Sequence, residues 1–387
     1  MRLTWGTVTE VIEASAGRQK LRVLLDSPQE SAAVNYLTPD PSKECVAINY
    51  LTIAPERKPG DRSLLNMTAL DLGLGTGGVA FVVPTDELLQ TYRTNPEEQR
   101  HDHIMKLRYT PLQREVATIE DQASVYHALM QEARSLTGLP VVCCALASQV
   151  PLVAAAIKAR QPGFRIVLCM TDEASLMFAF SDILAAARNA GLIDLVITCG
   201  QAIGGDEEAI TLHSALLAAR YVFNADVCIV SIGPGTPGSD TPFGHGGIAQ
   251  GESLNAVAAL DGIAIAALRL SFADARVRHQ GVSHHSLTTL GRICLAKVLI
   301  PLPTDLPSDQ LNEVENTLEV SGLNDRHSVI RVDLDPQEID LRGLTITTMG
   351  RTQQDDPAFF SAAFAAGILA ASCVAQSEPP INGLSST

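Results

Sequence analysis

Basic residues are scarce in this chain: 28 Lys and Arg stand against 43 Asp and Glu, a formal charge of −15 at pH 7. Residues 1–105 and the remainder are each acidic on balance, so no basic segment hides behind the total. Non-specific affinity for nucleic acid comes from a cationic footprint, and its lack makes nucleic acid an unexpected partner. Paired cysteine spacing is also missing. Cys45, Cys143, Cys144, Cys169, Cys199, Cys228, Cys294 and Cys373 contain no C-x-x-C, and most lie in apolar runs. That excludes a cysteine zinc site or a disulfide framework and predicts buried, reduced thiols. The opening Met1-Arg-Leu-Thr-Trp-Gly has no apolar h-region, so no export signal is expected and the cytoplasm is the expected compartment.

Long hydrophobic runs are absent with one exception, the uncharged stretch Ala358 to Ala375. It approaches spanning length, but it is mostly Ala, Gly and Ser and has no flanking Lys or Arg. Phe360, Phe364 and Ile368 recur every four residues, which predicts a C-terminal helix docking on a domain and no membrane anchor. The polar tail 376–387 is expected to be disordered.

What remains is an ordinary globular composition, with 46% apolar and 18% charged among 387 residues, enough for two or three domains. Residues 1–105 carry short β-branched runs (Thr7 to Ile12, Leu21 to Leu25, Cys45 to Ile53, Val79 to Val83) punctuated by Gly and Pro. They predict a small all-β barrel or sandwich, with Asp86–Asp102 as the linker. Leu72-Gly-Leu-Gly-Thr-Gly-Gly78 precedes a strand rather than a helix, so it reads as a tight hairpin and not a phosphate loop. The echo of Asn35-Tyr-Leu-Thr in Asn49-Tyr-Leu-Thr is too short for a repeat.

From residue 106 to 375 strand-length apolar runs alternate with helical patterns. Strands are expected at 139–146, 165–170, 192–198, 227–232, 263–270, 297–301 and 328–332. Helices are expected at 149–160, 174–189, 207–223, 252–260, 287–294 and 309–321. Apolar strands joined by helical crossovers predict an open, doubly wound, mostly parallel α/β sheet, Rossmann-like, with helices on both faces.

In such a sheet ligands bind beyond the carboxyl ends of the strands, and the unusual loops fall at that edge. They are Thr171-Asp-Glu173, then Gly200 to Asp206, then Gly233-Pro-Gly235-Thr-Pro-Gly238 onward to Gly247, and Ser271 to Ser286. Gly204, Gly205 and Asp206 read either as a cap or as an anion nest at the start of helix 207–223, with Glu207 and Glu208 as first-turn acids. Gly233, Gly235 and Gly238 match a dinucleotide fingerprint only in spelling, because two prolines interrupt them and the helix starts about ten residues later, so they read as a Gly-rich wall over some other ligand or as an irregular crossover loop. Chemistry concentrates in Asp274-Ala-Arg276-Val-Arg278-His279 and Ser283-His284-His285-Ser286. Arg276 and Arg278 suit a carboxylate or phosphate clamp, and His279, His284 and His285 suit proton transfer. A metal reading uses the same three histidines, with His245 or Asp274 added, but adjacent imidazoles usually diverge and the spacing matches no tight ligand set, so no metal is the expectation. Cys199 is a nucleophile only if its thiolate is stabilised, and packing is the simpler role. His213 reads as a helix-face residue, and Lys106, Arg108 and Tyr109 as a small basic group with an interdomain contact as its plainest role.

Several runs carry a resemblance: Leu64 to Gly78, His103-Ile-Met-Lys-Leu-Arg-Tyr-Thr-Pro-Leu-Gln, Gly200 to Ser214, Gly251-Glu-Ser-Leu-Asn, Arg276 to Thr288, and Thr348-Met-Gly-Arg. Together they resemble an uncharacterised bacterial domain-of-unknown-function family, number 3866, up to about residue 370. The resemblance implies a shared architecture and no activity. The residues themselves point to an enzyme acting on a small anionic or phosphorylated metabolite at the sheet's carboxyl edge, with cofactor open and a homo-oligomer possible. The alternative is a non-catalytic ligand-binding or regulatory protein that uses its β domain for partner contact.

Overall fold

The computed structural model describes residues 3–15, 17–26, 44–71, 78–85, 103–108 and 112–374. The linker 86–102, most of the glycine run 72–78, Asn35–Thr38, Tyr109 and the tail 376–387 lie outside the described residues. Contacts divide the chain into two compact units, Met1–His101 and Asp102–Thr387.

The first unit is a closed five-stranded barrel built from β1 (Leu3–Ser15), β2 (Arg18–Leu25), β3 (Glu44–Tyr50), β4 (Arg62–Asn66) and β5 (Ala80–Val83). Their order around the barrel is β1-β2-β3-β5-β4, with β4 returning to β1. Closure depends on β1. Its register shifts at Val8/Glu10 and Val11/Glu13, and bulges of this kind bend a strand enough to pair on both sides. Alternate side chains point inward, so Val8, Leu21, Val23, Ala47, Leu65, Ala80 and Val82 fill the interior.

The second unit holds an eight-stranded sheet. Its strands are β6 (Pro140–Cys143), β7 (Ile166–Thr171), β8 (Leu195–Thr198), β9 (Glu207–Glu208), β10 (Val227–Ile232), β11 (Ile263–Ala266), β12 (Leu299–Pro303) and β13 (Ser328–Val332). The order is β9-β8-β7-β10-β6-β11-β12-β13, and every pairing is parallel. Both faces are covered, as the near-continuous apolar strands require. Odd and even positions separate cleanly: Val141, Cys143, Cys169, Cys228 and Val230 face one core, and Val142, Leu168, Val196, Ile229 and Ile265 the other.

The helices that build its layers include α1 (Val150–Arg160), α2 (Asp182–Asn189), α3 (Leu212–Tyr221), α4 (Ile248–Ala259), α5 (His284–Thr288), α6 (Ser308–Val320) and α7 (Pro357–Val374). The first core takes in α3, α4 and α6, and the second takes in α1, α2 and most of α7. Several elements differ from the sequence expectation: the strand expected at 263–270 ends at Ala266, and the helix expected at 287–294 is α5 followed by a π-turn over Thr289–Ile293. Glu207 and Glu208 form the edge strand β9 and not the start of a helix, because α3 begins only at Leu212 behind a Thr211–Ser214 capping box. The expected helix 174–189 starts at Asp182, where Ser181 caps it by accepting from the Leu184 N–H.

Helix α7 is long and apolar enough to cross a membrane, yet 72% of it is buried inside the protein. It packs along α1 and across the sheet. Phe360, Phe364 and Ile368 are buried as expected, but so are Phe359, Ala362 and Ala366, which explains why the helix is apolar all round. Gly367 sits at the crossing. A Cβ there would overlap the Val153 carbonyl oxygen and press on the Ala156 Cβ at 2.8 Å. Gly367→Ala is therefore expected to cost about 1–3 kcal/mol through forced separation of the two helices, read as a lower urea midpoint. An unchanged midpoint would mean that α1 and α7 slide apart freely.

Lys106 is almost fully buried, and its Nζ donates to the carbonyls of Thr198 (3.0 Å) and Ala202 (2.7 Å) and to the Glu208 carboxylate (2.6 Å). It pins the start of the second unit to the end of β8. Cys199 is buried, and burial holds its thiol well above the ordinary range, so it packs as a neutral side chain. His213 is exposed on α3.

Candidate functional site

The sheet order contains a topological switch point. Strand β6 leaves through α1 over one face, whereas its neighbour β10 leaves through α4 over the other. Connections that part in this way open a cleft at the carboxyl ends of the two strands. Two buried glutamines lie at these strand ends: Gln149 Nε2 donates to the Leu268 carbonyl, and Gln250 Nε2 donates to the carbonyls of Cys143 and Ala267. They satisfy backbone groups where the strands end and pairing stops.

The four loops singled out in the sequence touch in series. The Gln201 N–H donates to Asp172 Oδ2 at 2.5 Å, the Ser175 N–H to the Pro234 carbonyl at 3.1 Å, and Arg278 Nε pairs with Asp240 Oδ1 at 3.0 Å. Gly233 makes the middle contact possible, since any Cβ there would overlap the Ser175 carbonyl. Gly235 has a left-handed backbone (φ +86°), and Gly238 bridges to His245 and approaches His285.

Contact in series is not convergence. Four strand spacings separate β8 from β11, about 19 Å. Gly204, Gly205 and Asp206 follow β8, and they do not lie at a helix N-terminus. Asp206 accepts from the Val196 N–H (2.8 Å) and from Arg188 Nε (3.0 Å), so its carboxylate ties the edge of the sheet together. The helix start that both the cap and the anion-nest readings required is absent at this point, and a local staple stands there.

The histidines do converge. His245 comes from the loop after β10, and His279, His284 and His285 come from the loop after β11, on the two sides of β6. His245 and His285 stack with ring centroids 3.7 Å apart, His284 and His285 lie 4.3 Å apart, and His279 lies 4.9 Å from each of the latter two. Local structure aims them. Ser283 caps α5 through its hydroxyl and also holds His279 Nδ1 at 2.7 Å. The helix then widens into a π-turn over Thr289–Ile293, an irregularity common at functional sites.

Burial is deep: His245, His279 and His285 are 6%, 2% and 9% exposed. Burial, reinforced by His245 and Arg269, pushes His285 down to about 2. Burial and then Arg269 push His279 down to about 3, and His284 and His245 are lowered mainly by burial. The four imidazoles are therefore neutral at pH 7. His284 Nε2 is buried without a hydrogen-bond partner, and neither ring nitrogen of His245 makes a hydrogen bond although the Pro242 carbonyl lies near. Unsatisfied buried nitrogens each cost about 1–3 kcal/mol, which marks a place where a partner is missing.

A second cluster braces the first. Asp274, 3% exposed, receives Arg276 through two contacts (Nε 2.9 Å, Nη2 2.8 Å) and lies 3.8 Å from Arg269 and 3.5 Å from Arg351. Arg351 also pairs with Asp356, which accepts from the Ser271 hydroxyl at 2.7 Å. Arg269 Nη1 in turn reaches His285 Nδ1 at 3.2 Å. Arg276 is thus engaged internally, with 37% of its side chain exposed, and Arg278 with 40% exposed is the more available cation. Sequence reasoning missed Arg269, Arg351 and Asp356 as parts of this network. A basic residue at the end of an apolar strand was the available signal for Arg269.

Comparison with known proteins adds the family and no activity. No curated protein and no solved structure matches the chain. The family of proteins of unknown function DUF3866 matches residues 46–367, which takes in β3 to β5 of the barrel, the whole sheet and the histidine cluster, and the chain belongs to that family.

Proposed function

We propose that the protein is a cytoplasmic enzyme that acts on a small anionic, or phosphorylated, metabolite at the carboxyl edge of its Rossmann-like α/β domain. The observation that supports this reading best is the convergence of four neutral imidazoles, with ring nitrogens left unpartnered, beside Arg276 and Arg278. Neutral imidazoles offer both a donor and an acceptor, and a partly exposed guanidinium offers two parallel donors to a carboxylate or phosphate.

A thermal-shift screen against phosphorylated metabolites, carboxylates and nucleotides tests the reading. A ligand at about 100 times its dissociation constant adds roughly 2.7 kcal/mol. Arg278→Ala is expected to abolish the shift while costing under about 1 kcal/mol, because its pair with Asp240 is exposed. His284→Ala is expected to remove turnover with similarly little loss of stability. Tight binding without turnover would instead support a ligand-sensing protein, and no shift from any class would point to a protein partner for the β domain.

A further inference from the structure

We propose that His279, His284 and His285 form a binding site for one divalent first-row transition metal ion of the zinc class. The site needs no anionic substrate, so it stands or falls separately from the preceding reading.

Three observations carry it. One nitrogen from each of the three rings lies within 4.8 Å of the other two. Three nitrogens at about 2.0–2.1 Å from a tetrahedral ion stand about 3.4 Å apart. Each ring therefore closes on the ion by less than about 1 Å, within the reach of side-chain rotation. Secondly, His284 Nε2 is buried and unpartnered, which is the state of a ligand atom awaiting its ion. Thirdly, His279 and His285 are only 2% and 9% exposed, so bulk water competes little for their ring nitrogens.

The surroundings specify what kind of centre this is. Ser283 holds His279 through Nδ1 and leaves its Nε2 free to coordinate, the arrangement by which ligand histidines are commonly oriented. Arg269 donates to His285 Nδ1 and so places that ring's proton on Nε2 in the metal-free protein. Coordination through Nε2 shifts this proton to Nδ1 with none released, and Arg269 then turns toward Asp274, 3.8 Å away. His245 stacks on His285 but lies outside the three-nitrogen set, so three protein ligands leave a fourth position open. An open position distinguishes reactive from structural zinc-type sites. The arginines would oppose a bare dication, but Asp274, Asp356 and Asp240 offset most of their charge. The remainder favours an anion, such as hydroxide or a substrate oxygen, on the open position.

The full chain, stripped with chelator and kept reduced, is titrated with Co²⁺ and then Zn²⁺. The expected result is one equivalent bound, with the visible bands of tetrahedral cobalt and no thiolate charge-transfer band. His284→Ala and, as a second variant, His279→Gln each weaken binding by about 100-fold or more. His213→Ala, exposed on α3, leaves it unchanged. Absence of stoichiometric binding, a thiolate band, or wild-type affinity in both His279→Gln and His284→Ala would overturn the assignment. Protection by inorganic phosphate, measured separately in chelator, reports on the anionic-substrate reading alone.

Discussion

Asp274→Ala is expected to destabilise the α/β unit by about 3–5 kcal/mol. Asp274 is the shared counter-ion of Arg269, Arg276 and Arg351 and is almost fully buried. Its hydrogen bond with Arg276 comes first among the effects that hold its carboxyl well below the ordinary range, so it stays ionised at any pH where the protein is folded. Removing it leaves three guanidiniums facing one another, with Arg269 fixed in an enclosed site. Breaking a buried pair from one side is costly because the stranded charges keep their desolvation penalty. For a unit of this size the loss corresponds to a fall of roughly 6–10 °C in Tm. A double variant, Asp274→Ala with Arg276→Ala, should recover part of the loss, since one stranded cation goes with its partner. A fall below 1 kcal/mol in the single variant would mean that water screens these arginines and that the network does not hold the histidine loop.

Lowering the pH from 7 to 5 in chelator is expected to remove on the order of 3–4 kcal/mol of stability. His279 and His285 are held at about 3 and about 2 in the folded protein, against about 6.5 in an unfolded chain. Between those values the unfolded chain binds protons that the folded one refuses, so stability rises with pH. The contribution is complete above pH 6.5 and is lost progressively as the pH falls below it. Each of the two histidines supplies roughly half of the loss by pH 5. His245 and His327 act in the same direction: burial lowers both, and His327 is fixed with Nδ1 accepting from the Val298 N–H and Nε2 donating to the Leu290 carbonyl. Asp274 plays no part in this window, because a depressed carboxylate loses its contribution only at much lower pH. Urea midpoints at pH 7.5, 6 and 5 measure the slope, and His279→Gln should flatten it. A level profile in the wild-type protein would show that the imidazoles titrate normally in the fold.

The division of labour along the chain was legible because it rests on local rules. The apolar run Val227–Ile232 is a fully buried strand and Ser328–Val332 a part-exposed edge strand, and the boundaries of both agree with the pattern. Helix 207–223 was misplaced at its start because Asp206-Glu-Glu reads as a helix N-terminus. The pairing of Glu207 and Glu208 with β8, and of Glu208 with Lys106 from a hundred residues away, outweighs that local preference.

Periodicity and the crossover rule, both properties of neighbouring residues, made a small β unit followed by a parallel α/β sheet legible, together with the sheet edge at which the unusual loops gather. The sequence also marked the Arg-His…Ser-His-His segment as chemically dense. Only the tertiary structure decided which of those groups meet. The strand order puts His245 beside His285 across β6 while carrying Gly204–Asp206 four strands away. It turns His284 and His285 toward His279, against the divergence expected of adjacent imidazoles, because the Ser283 cap and the π-turn fix the local path. It also delivers Arg351 and Asp356 from the far end of the chain to neutralise the site. Such encounters depend on strand order and loop closure, which no short stretch of sequence encodes.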